Sequence, residues 1–203
     1  MTPYGLVLRG VLVPKKRAST RQHRARAVMG SMPGWWRSRS DEERAAWKAP
    51  AKHTQSRKRM GKSGALSAYN LCNKINCVRV AVGLPRTPVP PPEPKFSPNP
   101  VRELSITNTG GDIALLLRVP KAPAQYTLVL GSPPCSAGIS CRCGFTILGL
   151  LPAANRGLSD ITDLYVKTFG KPPVGSRVFI RTRQVIDGWE DDPLQTTAIV
   201  PGP

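Results

Sequence analysis

The chain has 203 residues, 40% of them hydrophobic and 21% charged, with 30 Lys/Arg against 12 Asp/Glu and a net charge of +18. That is a globular composition with a basic bias, enough for one large domain or two small ones. Its apolar runs fall far short of the roughly 18–20 residues of a membrane-spanning helix, which excludes a transmembrane segment.

Residues 1–18 read as a basic arm with a short strand around Leu6–Val13. Arg9 interrupts the apolar segment, and the charges follow it instead of preceding it. This is not the pattern of a secretion signal, so the expected location is cytoplasmic or virion-associated. Residues 19–84 read as a basic helical module. "STRQHRARAVMGSM" predicts a helix capped by Ser19 or Thr20 and broken at Met32–Gly34, where Pro33 disfavours helix before it. "SDEERAAW" opens a second helix. Ser40 and Glu43 stand in the relation of a capping box, and Asp41, Glu42 and Glu43 complement the positive helix end. Pro50 should stop or kink it after about two turns. "AKHTQSRKRMGKSG" is a basic connection. In "SAYNLCNKINCVRVAVGLP", Leu71, Ile75, Val78 and Val82 make one helical stripe, capped by Ser67 and stopped by Gly83 and Pro85.

Residues 85–100 hold eight prolines. They predict an extended, semi-rigid linker, the commoner use of such composition than a ligand for an SH3-like domain. From Val101 to Pro203 the pattern turns to strands. "VRELSITNTGGDIALLLRVP" is strand, turn, strand, with Gly110 and Gly111 free to take positive φ. "AQYTLVLGSPP", "CRCGFTILGLLP", "GSRVFIRTRQVI" and "QTTAIVP" are further strands, the third with Val178, Ile180, Thr182 and Gln184 opposing Phe179, Arg181 and Arg183, and Asp187–Trp189 is a turn. "LSDITDLYVKTFGKPP" has Ile161, Leu164, Tyr165 and Thr168 at helical spacing, ended by Gly170 and Pro172. The expected fold class is α+β: a small helical module plus an all-β sandwich with one inserted short helix.

Three stretches carry a resemblance. "FTILGLLP", "GSRVFIRTRQVIDGWED" and "TTAIVP" resemble the late strands of fibronectin type III and related immunoglobulin-like domains. The inserted "DITDLYVKTFG" departs from that family's tight corner, whose usual tyrosine has no clear counterpart here. The first half resembles the amino-terminal part of uncharacterised bacterial and phage-associated proteins. Trp36, Ser40, Arg44 and Trp47, then Ser67, Tyr69 and Asn70, carry that likeness, which implies an architecture and no activity. There is a fainter likeness to HMG boxes, with the two helical stretches in reversed order and Pro50 where helix should continue.

The charge is uneven. Residues 1–100 hold 20 Lys/Arg and 4 Asp/Glu, while residues 101–203 hold 10 and 8. The first half therefore suits a polyanion: nucleic acid, anionic membrane or an acidic protein. The candidate nucleic-acid-binding residues are Lys15, Lys16, Arg17, Arg21, Arg24, Arg26, Arg57, Lys58, Arg59 and Lys62, as phosphate contacts without base specificity. Trp35 joins them as an exposed aromatic able to stack. Trp36 and Trp47 are better read as core, since a module this small has few other large apolar side chains.

Cys72, Cys77, Cys135, Cys141 and Cys143 are odd in number and lack a secretion signal, so reduced thiols are expected. With His23 and His53 they raise the idea of zinc, but the spacings miss the ribbon pattern and no metal or other cofactor is predicted. Cys72 is expected to pack as a small hydrophobe, and Cys141 and Cys143 to share one face of a strand. Asp187, Glu190, Asp191 and Asp192 form an acidic hairpin without calcium-loop spacing; it could dock a neighbour's basic arm. No nucleophile elbow, phosphate loop or zinc-protease motif is present, so no catalytic residue, enzyme activity or small-molecule substrate is expected. The function expected is structural or interactive, phage- or virion-related, with protein partners or self-assembly and non-specific nucleic acid. The alternatives are a non-specific DNA-binding accessory protein and a surface adhesion module.

Overall fold

The computed structural model describes residues 20–56, 63–123 and 126–203, with the backbone alone at Arg21. The chain divides into two compact units, one ending at Ser38 and one running from Arg39 to Pro203.

The first unit contains helix α1, Thr20–Arg37, with Pro33 inside it. The break expected at Met32–Gly34 does not occur. Proline removes one N–H and crowds the carbonyl four residues back, but it can be carried within a helix as a kink. The ladder resumes directly after it, with the Ser38 amide donating to the Gly34 carbonyl at 3.1 Å. Gly34 does not take positive φ. The strand expected at Leu6–Val13 and the Ser19 cap lie outside the described residues.

The second unit begins with three helices, α2 (Asp41–Ala46), α3 (Lys48–His53) and α4 (Ala68–Ala81). The capping box at α2 is complete. Ser40 Oγ accepts from the Glu43 amide at 3.1 Å, and the Ser40 amide donates to the Glu43 carboxylate at 2.9 Å. The helix ends at Ala46, before the expected stop. Ala46 is four residues before Pro50, so its carbonyl is the one the proline ring would strike. Pro50 itself falls in the first turn of α3, where its missing N–H costs nothing. Between α3 and α4 the chain doubles back, with Gln55 bridged to Ala65. Ser67 caps α4 by accepting from the Asn70 amide at 3.2 Å. Leu71, Ile75 and Val82 of the expected stripe are buried, and Gly83 has φ +84° at the stop.

Residues 85–100 are extended, as their proline content dictates, and hydrogen-bonded along their length. The Arg79 guanidinium donates to the Pro85 carbonyl at 2.7 Å and Trp47 Nε1 to the Pro88 carbonyl at 2.7 Å. Trp189 Nε1 reaches the Pro91 carbonyl at 3.1 Å and Gln184 Nε2 the Ser97 carbonyl at 2.6 Å. Proline-rich backbone keeps its carbonyls free, and side chains on both flanks use them.

The remainder is antiparallel sheet, which makes the chain a mixed α+β protein. Strands β1 (Leu104–Thr109), β2 (Asp112–Arg118) and β6 (Leu158–Asp160) form one sheet in the order β1-β2-β6. In the other, β7 (Ser176–Ile186) is central. It pairs β3 (Tyr126–Gly131) and the short β4 (Cys135–Ser136) as well as β8 (Trp189–Glu190) and β9 (Leu194–Ile199); β5 (Thr146–Leu150) pairs β3. Both predicted glycine turns form as two-residue hairpins. Thr109 pairs Asp112 across Gly110 (φ 62°) and Gly111 (φ 98°), and Ile186 pairs Trp189 across Asp187 (φ 48°) and Gly188 (φ 92°).

The inserted helix, α5, spans Thr162–Phe169. It starts later than the helical spacing suggests, because Leu158–Asp160 pair with β2 and Asp160 Oδ1 then accepts from the Thr162 amide at 2.8 Å. A single apolar cluster draws Leu104, Ile106, Leu115, Leu117, Val129, Leu148, Val178 and Ile180 from the two sheets and Tyr165 from α5. The Tyr165 hydroxyl donates to the Ser132 carbonyl at 2.9 Å, tying α5 to the end of β3.

Candidate nucleic-acid interface and a charged cleft

Of the predicted phosphate contacts, Lys15, Lys16, Arg17, Arg57, Lys58, Arg59 and Lys62 lie outside the described residues. Arg21, Arg24 and Arg26 lie on α1, with Arg24 and Arg26 exposed. Two residues apart on a helix means about 200° of rotation, so these two arginines address different sides of α1 and make no single stripe. No acidic residue stands anywhere in α1 to offset them.

The tryptophans divide as buried and half-buried. Trp47 is fully buried. It joins α2 to α3 in helical conformation, which turns its indole inward, and its N–H is satisfied by the Pro88 carbonyl. Trp35 and Trp36 are both half-buried, so exposure does not separate them as expected.

All five cysteines are free thiols. Cys72 is buried in α4 beside Asn76, and burial pushes its thiol up to about 11. Burial also raises Cys77. Neither is a thiolate near neutral pH, so neither is an activated nucleophile. Cys141 and Cys143 are exposed in coil, not on a strand: β5 begins only at Thr146. The chain before it is held instead by Phe145, whose ring lies 4.0 Å from the Arg181 guanidinium.

The acidic hairpin is used within the chain. Asp187 pairs with Arg79 at 3.2 Å, Glu190 with Arg183 at 2.6 Å, and Asp191 accepts from Gln184 Nε2 at 3.2 Å. Among the described residues, no three His, Cys, Asp or Glu side chains converge as metal ligands would.

Beside this hairpin lies a cleft of about 590 Å³. Gln55, Asn70 and Lys74 line it from the helical part, and Arg181, Arg183 and the run Glu190–Asp192 from the sheet. Arg181 and Arg183 are presented by strand alternation. Val178 and Ile180 face the core, so the odd-numbered residues that follow point to the other face of β7. The alternation was legible in the sequence. That Lys74, more than a hundred positions earlier, lines the same cleft was not, and no local signal could reveal it. Asn76 was also missed. Its amide is buried in α4, donates to the Thr87 carbonyl at 3.3 Å and accepts from the Thr87 amide at 2.7 Å.

No protein-family model, curated protein or solved structure matches the chain.

Proposed function

We propose that this chain is a non-enzymatic structural or interaction protein of a phage- or virion-related assembly. Its basic amino-terminal half faces a polyanion, and its carboxy-terminal half is an immunoglobulin/fibronectin-III-like β-sandwich that binds protein. The observation that carries the reading is the charge distribution: 20 Lys/Arg against 4 Asp/Glu in residues 1–100, with near balance afterwards. The exposed arginines of α1 support it. The order β1-β2-β6 in one sheet and the path β9-β7-β3-β5 within the six-stranded other, where the two-residue β4 and β8 also pair β7, support the sandwich, since that family likewise places its first and last strands in different sheets.

Binding to a random-sequence DNA duplex, followed over a salt titration, tests the polyanion half. Affinity should fall steeply with salt, and no binding at ~50 mM salt would remove it. Light scattering after size exclusion separates assembly from a DNA-binding accessory role. Large particles support assembly, and a monomer or dimer that binds DNA supports the accessory reading. Among the described residues no helix is long and apolar enough to cross a membrane.

A further inference from the structure

The cleft beside the acidic hairpin holds more cationic capacity than its ion pairs use. Glu190 takes Nη1 of Arg183 at 2.6 Å. Arg181 meets the neutral Gln195 Oε1 at 2.7 Å through Nη2 and the Phe145 ring at 4.0 Å, but no carboxylate among the described residues. Lys74 is exposed at the same cleft and makes no ion pair among them either. The Nε–H groups of both arginines are buried and make no hydrogen bond.

A guanidinium presents Nε and Nη2 as a fork that meets a carboxylate or phosphate in two parallel bonds. In Arg183, Glu190 holds the other nitrogen, so that fork is open. A buried donor without an acceptor is costly, and an incoming oxyanion that meets such an Nε–H would recover that cost. The cleft volume of about 590 Å³ also lies in the range of small-ligand sites.

We infer that this cleft binds a compact ligand bearing one carboxylate or phosphate group, held by Arg181, Arg183 and Lys74. Asp191 and Asp192 on the same cleft set the class. They oppose a nucleic-acid strand, whose charges recur along its length, and favour an amine or amide next to the single anion. Asn70 and Gln55 supply neutral hydrogen-bonding groups for the remainder. This site is separate from the polyanion reading and does not depend on it.

The test is an NMR titration of the full-length chain, following the Arg181 and Arg183 Nε–H signals. Inorganic phosphate and acetate are added in separate series, with sodium chloride as the ionic-strength control. A saturable shift at millimolar anion that chloride does not reproduce is expected. A stronger response to phosphate identifies a phosphate ligand, and a stronger response to acetate a carboxylate. Lys74→Gln, at an exposed position, should weaken the titration several-fold without moving the thermal midpoint. Arg181→Lys, which keeps the charge and removes the unpaired Nε–H, should weaken it as much. No saturable shift with either anion, a shift that chloride reproduces, or an unaltered titration in Lys74→Gln overturns the proposal. So does displacement of the anion by a DNA duplex, which would make the cleft part of a polyanion surface. Loss of DNA binding with an intact anion titration would instead sink only the polyanion reading.

Discussion

At Gly188 the backbone has φ +92°, and a Cβ would lie 2.6 Å from the Ile75 carbonyl oxygen and 2.7 Å from Arg79 Cγ. This is where the β7–β8 hairpin meets α4, and Arg79 clamps the same turn through the Asp187 carbonyl and carboxylate. Gly188→Ala should therefore lower stability by about 2 kcal/mol or more, read as a fall in the urea midpoint, because it combines strain with a clash against backbone. An unchanged midpoint would mean that the hairpin is not seated on α4. Cys72 supplies a second measurable effect. Its folded thiol is raised from 9.0 to about 11 by burial, with Cys77 adding and the Asn76 hydrogen bond, Arg39 and Arg86 opposing. The folded state thus holds the thiol proton more tightly. The associated stability is full below pH 9, and is lost as pH rises through about 11. The loss should reach roughly 2–3 kcal/mol, and Cys72→Ala should flatten this part of the pH–stability curve measured by urea unfolding. Tyr165 is also raised by burial and acts in the same direction at higher pH.

Among the elements, the proline-rich segment is the one whose role depends most on its neighbours. Its extended form follows from composition, but its attachment follows from Asn76, close before it, and from Trp47, Gln184 and Trp189, which lie far from it in sequence. Asn76→Ala should cost about 1–3 kcal/mol, because the Thr87 amide and carbonyl lose their partner in a partly buried place. Hydrogen exchange at the Thr87 amide would report it directly, and unchanged protection there would show that the amide of Asn76 does not hold the segment. The helix caps and glycine turns were legible because each is complete within four residues. The α1 break was misread for the opposite reason. Proline penalises a helix locally, and the sequence does not show whether the rest of the helix carries that penalty. The short β4, β6 and β8 were not legible, since two or three residues hold no alternation and exist only through a partner strand.

For the whole molecule, electrostatics dominates the expected behaviour. Residues 1–38 carry eight Lys/Arg and no Asp/Glu. If they neutralise phosphates, the slope of log affinity against log salt should shrink when they are removed, by about 0.9 for each duplex phosphate left unneutralised. An unchanged slope would place the binding surface elsewhere, in Arg39–Pro203. The candidate interface was legible as a charge count, yet its geometry is described only at Arg24 and Arg26, which face different sides of α1. The cleft was not legible at all, although every residue in it was visible.

By itself the sequence determined the charge asymmetry, the helix caps at Ser40 and Ser67, both glycine hairpins, the extended proline segment and the alternation along β7. Each of these is set by chemistry acting within a few residues. Only the tertiary structure decided that Arg79 closes on Asp187, 108 positions away, that Asn76 pins Thr87, and that Lys74 shares a cleft with Arg181 and Arg183. Such pairings depend on which surfaces the buried core brings together, and no local pattern encodes a partner.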